Sequence, residues 1–285
     1  MSRGGVANLI RIGATHIERT MLSDRDGPVQ ELLNTGFVAD DPSAYCPRCG
    51  LGMGPNEFVD GTCSACRRAK LPWGGVVRLG PYEPHLREPI HQFKFDRWHA
   101  VGEHLGRALG ATVAERLQLV AEQAGEPVSA ITSRTVVVPV PMSFWRRASR
   151  GIDHAGCLGR SVAQGAGLRL GHWLLRRHRP AQTGLSEAAR KKNLRGAMRP
   201  RIAPDQMGDP RVIVLVDDVM TTGSTIHEAC RVLHEMARAR PGDAQEPPAI
   251  LVATVAVSGS KPRRSAPTPL VRSLPAADAA MVQKK

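Results

Sequence analysis

Apolar residues gather in short runs at 135–140, 172–175, 212–217 and 249–257, separated by stretches whose apolar positions recur at helical spacing. Val212 to Val216 is uniformly apolar, the pattern of a strand buried on both faces. Gly75 to Pro81 reads as a further short strand, and residues 84 to 119 read as helical, with Leu86, Ile90, Phe93, Val101, Leu105 and Leu109 toward the core. Another helix is expected from about Asp153 to Gln164. Ile226, Ala229, Cys230, Leu233 and Ala237 fall on one face of a helix after the 212–217 strand. Strands alternating with helices predict an α/β fold with a mainly parallel sheet covered on both faces. In such sheets ligands sit beyond the carboxyl ends of the strands.

Chemistry concentrates at the end of the 212–217 strand. Asp217 and Asp218 stand side by side there, and Thr221, Thr222, Gly223, Ser224 and Thr225 follow before the next helix. Backbone N–H groups at a glycine-bearing turn and helix N-terminus cradle a phosphate dianion, and short hydroxyls add donors. The paired acids are suited to accept hydrogen bonds from vicinal ribose hydroxyls. A P-loop ATPase would need a G-x-x-x-x-G-K-[ST] loop, which the sequence lacks.

This arrangement resembles the signature by which type I phosphoribosyltransferases bind 5-phosphoribosyl-1-pyrophosphate (PRPP). The resemblance implies that Asp217 and Asp218 contact the ribose 2′- and 3′-hydroxyls and that Thr221 to Thr225 hold the 5′-phosphate. It also implies Mg²⁺ bound with PRPP and displacement of pyrophosphate at the anomeric carbon.

Four of the six cysteines form Cys46-Pro-Arg-Cys49 and Cys63-Ser-Ala-Cys66, with thirteen residues between the pairs. Two such knuckles can bring four thiolates around a structural Zn²⁺, leaving no open position for catalysis. Arg48, Arg67, Arg68 and Lys70 would partly offset the charge of that centre. Cys157 and Cys230 read as packing residues, and the histidines near Phe93 as surface or packing residues.

Two further segments are basic. Pro141 ends the 135–140 strand, and Arg146, Arg147, Arg150 and Gly151 follow, an arginine-rich loop suited to bidentate pyrophosphate contacts. Residues 176 to 198 form a long polar stretch containing Arg190, read as a cationic lid.

Together these features resemble the ComF family of phosphoribosyltransferase-like proteins. The matching residues are the Cys₄ module, Phe93-Lys94-Phe95, Val138-Pro139-Val140-Pro141 with Arg150-Gly151, Gln182 and Leu185 with Arg190, Asn193 and Gly196, and Val216-Asp217-Asp218-Val219 with Thr221-Thr222-Gly223. Family members usually carry Arg-Gly-Phe-Asn-Gln where this chain has Arg150-Gly151-Ile152-Asp153-His154. The ribbon and residues 75 to 119 are expected to fill the position of the base-binding hood.

The expected organisation is a poorly organised N-terminal segment at 1–43, with a short helix near 29–33, a zinc ribbon at 44–72, a phosphoribosyltransferase-like domain at 73–257 and a disordered basic tail at 258–285. The net charge of +13 suits phosphorylated or polyanionic partners. There is no apolar run long enough to span a bilayer, and Met1 to Ile12 lacks the apolar core of a secretory signal, so a cytoplasmic protein is expected. Two functional classes stay open. One is a glycosyltransferase acting on an acceptor the sequence does not specify. The other, implied by the ComF resemblance, is a non-enzymatic competence or DNA-uptake accessory that binds single-stranded DNA, meets competence proteins and uses PRPP as a ligand.

Overall fold

The structure, a computed structural model of the 285-residue chain, describes residues 39–53, 58–59, 61–96, 99–142, 153–177, 196–241 and 246–259. Expectations for the N-terminal segment, the short helix near 29–33 and the basic tail beyond 259 lie outside the described residues.

A five-stranded parallel sheet forms the centre. Its strands are β3 (Gly75–Pro81), β4 (Thr135–Pro139), β5 (Arg169–Leu170), β8 (Val212–Met220) and β9 (Ala249–Val257), in the order β3-β9-β8-β4-β5. Two small antiparallel pairs lie outside it. One joins β1 (Phe58–Val59) to β2 (Thr62–Cys63), and the other joins β6 (Leu174–Arg176) to β7 (Met198–Pro200). The helices are α1 (Ser64–Arg67), α2 (Pro84–His91), α3 (His99–Ala124), α4 (Val128–Thr132), α5 (His154–Ala166) and α6 (Ser224–Arg238). A π-turn at Gln92–Asp96 follows α2.

Alternation along β8 explains the two layers. Val212, Val214 and Val216 point to the face covered by α2, α3 and α5, while Ile213 and Leu215 point to the face covered by α6 and the cysteine module. All five are essentially sealed from solvent, which accounts for the uninterrupted apolar run. On the first face α3 and α5 approach closely through small residues. A Cβ on Gly106 would lie 2.4 Å from Ser161 Cβ, and one on Gly110 would lie 2.6 Å from the Val162 carbonyl.

The cysteine module is bonded to the sheet. Val76 N–H donates to the Pro47 carbonyl (2.7 Å) and Asp40 N–H to the Leu79 carbonyl (2.8 Å), so residues 40–47 satisfy the outer edge of β3. Arg78 crosses from β3 to Asp40 (2.6 Å) and lies over the Tyr45 ring. Cys46, Cys49, Cys63 and Cys66 share an apolar cluster with Val76, Val257 and Ile226.

Several expectations need correction. The run at 172–175 is not a strand of the main sheet. The sheet takes Arg169–Leu170 instead, and the chain then leaves it to form β6. Trp173 is the physical reason: its ring folds back within 2.7 Å of the Cβ position of Gly171 and buries against the α6 side. The helical reading of 84–119 holds in its core positions, but the helix is interrupted by the π-turn at Gln92–Asp96. Residues 75–81 belong to the sheet rather than to a hood, because β3 pairs along nearly all its length with β9. Strand β8 also runs past the acids to Met220, since β9 continues beside it to Val257.

Candidate functional site: the carboxyl end of β8

The crossover connections diverge between the parallel neighbours β4 and β8. From β4 the chain crosses through α5 to β5 on one side; from β8 it crosses through α6 to β9 on the other. A crevice at the carboxyl end is expected where such crossovers diverge. Strand β4 stops at Pro139, opposite Val216, with Val140 N–H donating to the Val216 carbonyl (2.8 Å). Beyond that point β8 continues with β9 on one side only. Asp217 and Asp218 are the next two residues, both half-buried.

Their carboxyls are set differently. Burial, and then the charge of Asp218, push the Asp217 carboxyl up from its usual 3.8 to about 7, against the opposing influence of Lys94 and Arg176. Its Oδ1 accepts the Asp218 N–H (2.9 Å). Asp218 pairs with Lys94, whose Nζ lies 2.9 Å from Oδ1. Thr254 on β9 donates its hydroxyl to the Asp218 carbonyl (3.2 Å), fixing the backbone just past the acids.

The hydroxyl loop follows. Thr221 and Thr222 are exposed, Ser224 and Thr225 half-buried, and Gly223 is buried with φ +69°. That left-handed conformation at the N-cap of α6 is one L side chains rarely adopt, which gives the glycine its place. No side chain caps α6, so its first-turn N–H groups face the loop without a partner one turn back. The Thr222 and Ser224 hydroxyls lie 2.9 Å apart. Acids, hydroxyls and helix N-terminus are thus brought to one end of one strand, as the sequence implies.

The sequence does not single out Lys94 for chemistry. It sits on the π-turn, anchored by Phe93, whose ring is buried edge-on to His154 (4.9 Å) and over Gly102. The signal is the Phe93-Lys94-Phe95 match itself, but nothing in the sequence says that residue 94 reaches residue 218.

Pro141 is half-buried just after β4. Arg146, Arg150 and Arg190 lie outside the described residues. At the far end of the arginine loop, Asp153 caps α5 by accepting the Gly156 N–H (3.2 Å), and His154 is buried against Phe93. Of the three departures from Arg-Gly-Phe-Asn-Gln, Asp153 and His154 therefore have local structural uses, while Ile152 lies outside the described residues.

The second candidate site is the cysteine cluster. The four Sγ atoms all lie within 4.8 Å of one another, and Cys49 Sγ is 3.7 Å from Cys63 Sγ. A tetrahedron with bonds of about 2.3 Å has edges of about 3.8 Å, so this donor set fits a tetrathiolate metal centre. The separation is far beyond a disulfide, and all six cysteines are free thiols. Hydrogen bonds among the sulfurs pull the Cys46 thiol well below its usual range and push the Cys49 and Cys66 thiols above theirs, so the closely packed sulfurs titrate together rather than singly.

DNA utilization protein YhgH of Salmonella typhi is 30% identical over 192 residues, covering 67% of this chain and 78% of that protein. YhgH of Escherichia coli K12 is 31% identical over 191 residues, 66% of this chain and 77% of that protein. Competence protein F of Haemophilus influenzae is 27% identical over 194 residues, 67% and 79% respectively. This chain belongs to the ComF family. No family model matches it. The solved allosteric regulatory enzyme of purine biosynthesis overlaps 58% of this chain and 30% of that one, at 16% identity and a TM-score of 0.30, too low to bear on fold or function. In this ComF-family chain the parallel sheet and the four-cysteine cluster are both present, and no described helix is long and apolar enough to cross a membrane.

Proposed function

We propose that the cleft at the carboxyl end of β8 binds PRPP with Mg²⁺. One observation carries this reading: Asp217-Asp218 and the Thr221–Thr225 loop occupy the same strand end, where the crossovers of the sheet diverge. Asp217 and Asp218 accept the ribose 2′- and 3′-hydroxyls. The amides of Gly223, Ser224 and Thr225, with the hydroxyls of Thr221 and Thr222, take the 5′-phosphate. Pro141 leads into the loop whose Arg146 and Arg150 grip the pyrophosphate, and Arg190 closes over it from the 176–198 segment. Asp217 and Asp218 would lie beside Mg²⁺ brought in with PRPP, and that ion would supply positive charge to offset the charge on the leaving group.

In the transferase form of the proposal, the bond from the anomeric carbon to pyrophosphate breaks. The electron pair leaves with pyrophosphate, and an acceptor nucleophile bonds to the same carbon. The four cysteines hold Zn²⁺ as a structural centre throughout, and residues 44–72 and 73–257 are the zinc-bearing and phosphoribosyl-binding parts of a cytoplasmic protein.

Titration calorimetry with PRPP and Mg²⁺ tests the reading. Wild type binds, and Asp217→Asn/Asp218→Asn loses at least tenfold in affinity, about 1.4 kcal/mol or more. Equal binding by both proteins would falsify it. Release of pyrophosphate on screening nucleobases distinguishes transferase from binding protein.

A second reading is favoured by the names of the relatives, which are those of DNA utilization and competence proteins. In it the chain contacts single-stranded DNA and competence partners through its excess of 13 positive charges, with PRPP as a ligand. Its mark is single-strand binding that weakens steeply with salt and survives the double Asn substitution.

A further inference from the structure

The phosphate loop and the cysteine cluster meet through one side chain, Trp73. Its ring is buried beneath Gly223: a Cβ there would stand 3.3 Å from the outer edge of the indole. The same ring meets His227, in the first turn of α6, edge-to-face at 4.8 Å. At its other end, Trp73 Nε1–H donates to the Arg48 carbonyl (2.7 Å), inside the Cys46-Pro-Arg-Cys49 knuckle. Arg48 then spans to the second knuckle, donating Nη1 to the Cys66 carbonyl (2.9 Å) and Nη2 to that of Ala69 (3.3 Å).

The backbone around Trp73 is held on both sides. Gly74 N–H donates to the Ile250 carbonyl in the sheet (2.8 Å), and Val76 N–H to Pro47 in the first knuckle (2.7 Å). Indole is rigid, with two rotatable bonds, so a displacement of the Arg48 carbonyl reaches Gly223 with little slack. Gly223 is the residue whose left-handed backbone aims the first amides of α6 into the loop.

We propose that Trp73 is a positioning residue that couples metal retention by the four cysteines to phosphate binding in the Thr221–Thr225 loop. The inference rests on PRPP as ligand of that loop. An intact knuckle seats the indole under Gly223 and holds the amides in binding geometry. Loss of the metal frees Arg48, and the loop loses its floor. Coupling of this kind is reciprocal, so bound PRPP must tighten the hold on the metal by the factor by which the metal tightens PRPP.

The test uses the full zinc-loaded chain and a zinc-selective chromogenic chelator, with and without saturating PRPP and Mg²⁺. In wild type, PRPP reduces the zinc captured at equilibrium, raising apparent zinc affinity about tenfold. Trp73→Phe keeps an aromatic ring but loses the Arg48 bond and the reach to Gly223. It retains one zinc per chain in the absence of chelator, and its PRPP effect on zinc falls below about twofold. The same shift in both proteins overturns the coupling, since it would reflect only general stabilisation by ligand. PRPP binding with no effect on zinc in wild type also overturns it. Failure of wild type to bind PRPP overturns the reading of the site, and this inference with it.

Discussion

Lys94 Nζ stands 2.9 Å from Asp218 Oδ1, joining the π-turn after α2 to the acidic end of β8. Two adjacent carboxylates repel, and Lys94 supplies the compensating charge at the place where the phosphoribosyl reading calls for a divalent cation. Replacing it with glutamine leaves the pair uncompensated. In Lys94→Gln the Asp217 carboxyl moves further above its ordinary range, because the lysine is one of the influences holding it down. A carbon-detected NMR titration of the aspartate carboxyls checks the direction. An unchanged Asp217 midpoint would show the ion pair to be energetically idle.

Asp217 itself makes the site sensitive to pH. With its carboxyl pushed up to about 7 by burial and by Asp218, the group is largely neutral below that pH and ionised above it. An acceptor for two ribose hydroxyls works best as a carboxylate, so PRPP affinity should rise with pH through about 7 and then level off. Phosphate ionisation near 6 adds its own slope, and Asp217→Asn isolates it by removing the protein's share. The folding linkage has a definite sign. A carboxyl raised in the folded state contributes fully below the unfolded value of 3.8, and its contribution is lost as pH rises through 7. Chemical denaturation at pH 8 should therefore find Asp217→Asn more stable than wild type.

What the sequence reveals and what it hides follow from the range of the interactions involved. The run from Val212 to Asp218 is self-announcing, because burial on both faces demands unbroken apolarity and the acids and hydroxyls follow in register. The cysteine spacing is equally local. Hidden are contacts between residues far apart in the chain: Lys94 with Asp218, and Trp73 with Gly223. Neither has a periodicity to read. The assignment of 172–175 to the sheet fails because Trp173 and Leu174 are buried by a hairpin on the α6 side, and burial alone does not tell a sheet strand from a covering one.

The six cysteines should respond to serine substitution in three grades. Cys49→Ser removes a ligand from a set of four sulfurs within 4.8 Å of one another. Metal binding to such a set is worth on the order of 10 kcal/mol of folding energy, so the variant should lose its metal and unfold at a much lower temperature. Cys230 is fully buried on α6 in an apolar cluster; its serine variant should lose about 1–3 kcal/mol through a buried hydroxyl. Cys157 is only half-buried, and Cys157→Ser should stay within about 0.5 kcal/mol of wild type. Metal content by atomic absorption, with thermal unfolding, ranks the three. A Cys49→Ser protein as stable as Cys157→Ser would remove the case for a metal centre.

His234, further along α6, gives a separate pH signature. It is 3% exposed, its Nε2 has no hydrogen-bond partner, and Arg238 lies one turn away on the same helix. Burial, reinforced by the Arg238 charge, lowers its pKa from 6.5 to about 4. The unfolded chain therefore takes up a proton at a pH where the folded one does not. His234 destabilises the folded state progressively as pH falls from 6.5 toward 4 and has no such effect above 6.5. The full swing is about 3 kcal/mol, given roughly 1.4 kcal/mol for each pH unit separating the folded and unfolded midpoints. Leucine at this position is apolar and of similar size, so His234→Leu should match or exceed wild-type stability at pH 5, with its advantage shrinking toward pH 7.5. Urea midpoints measured across that range give the comparison directly. Parallel curves for the two proteins would mean that the imidazole is protonated in the folded state, or reaches water when it is.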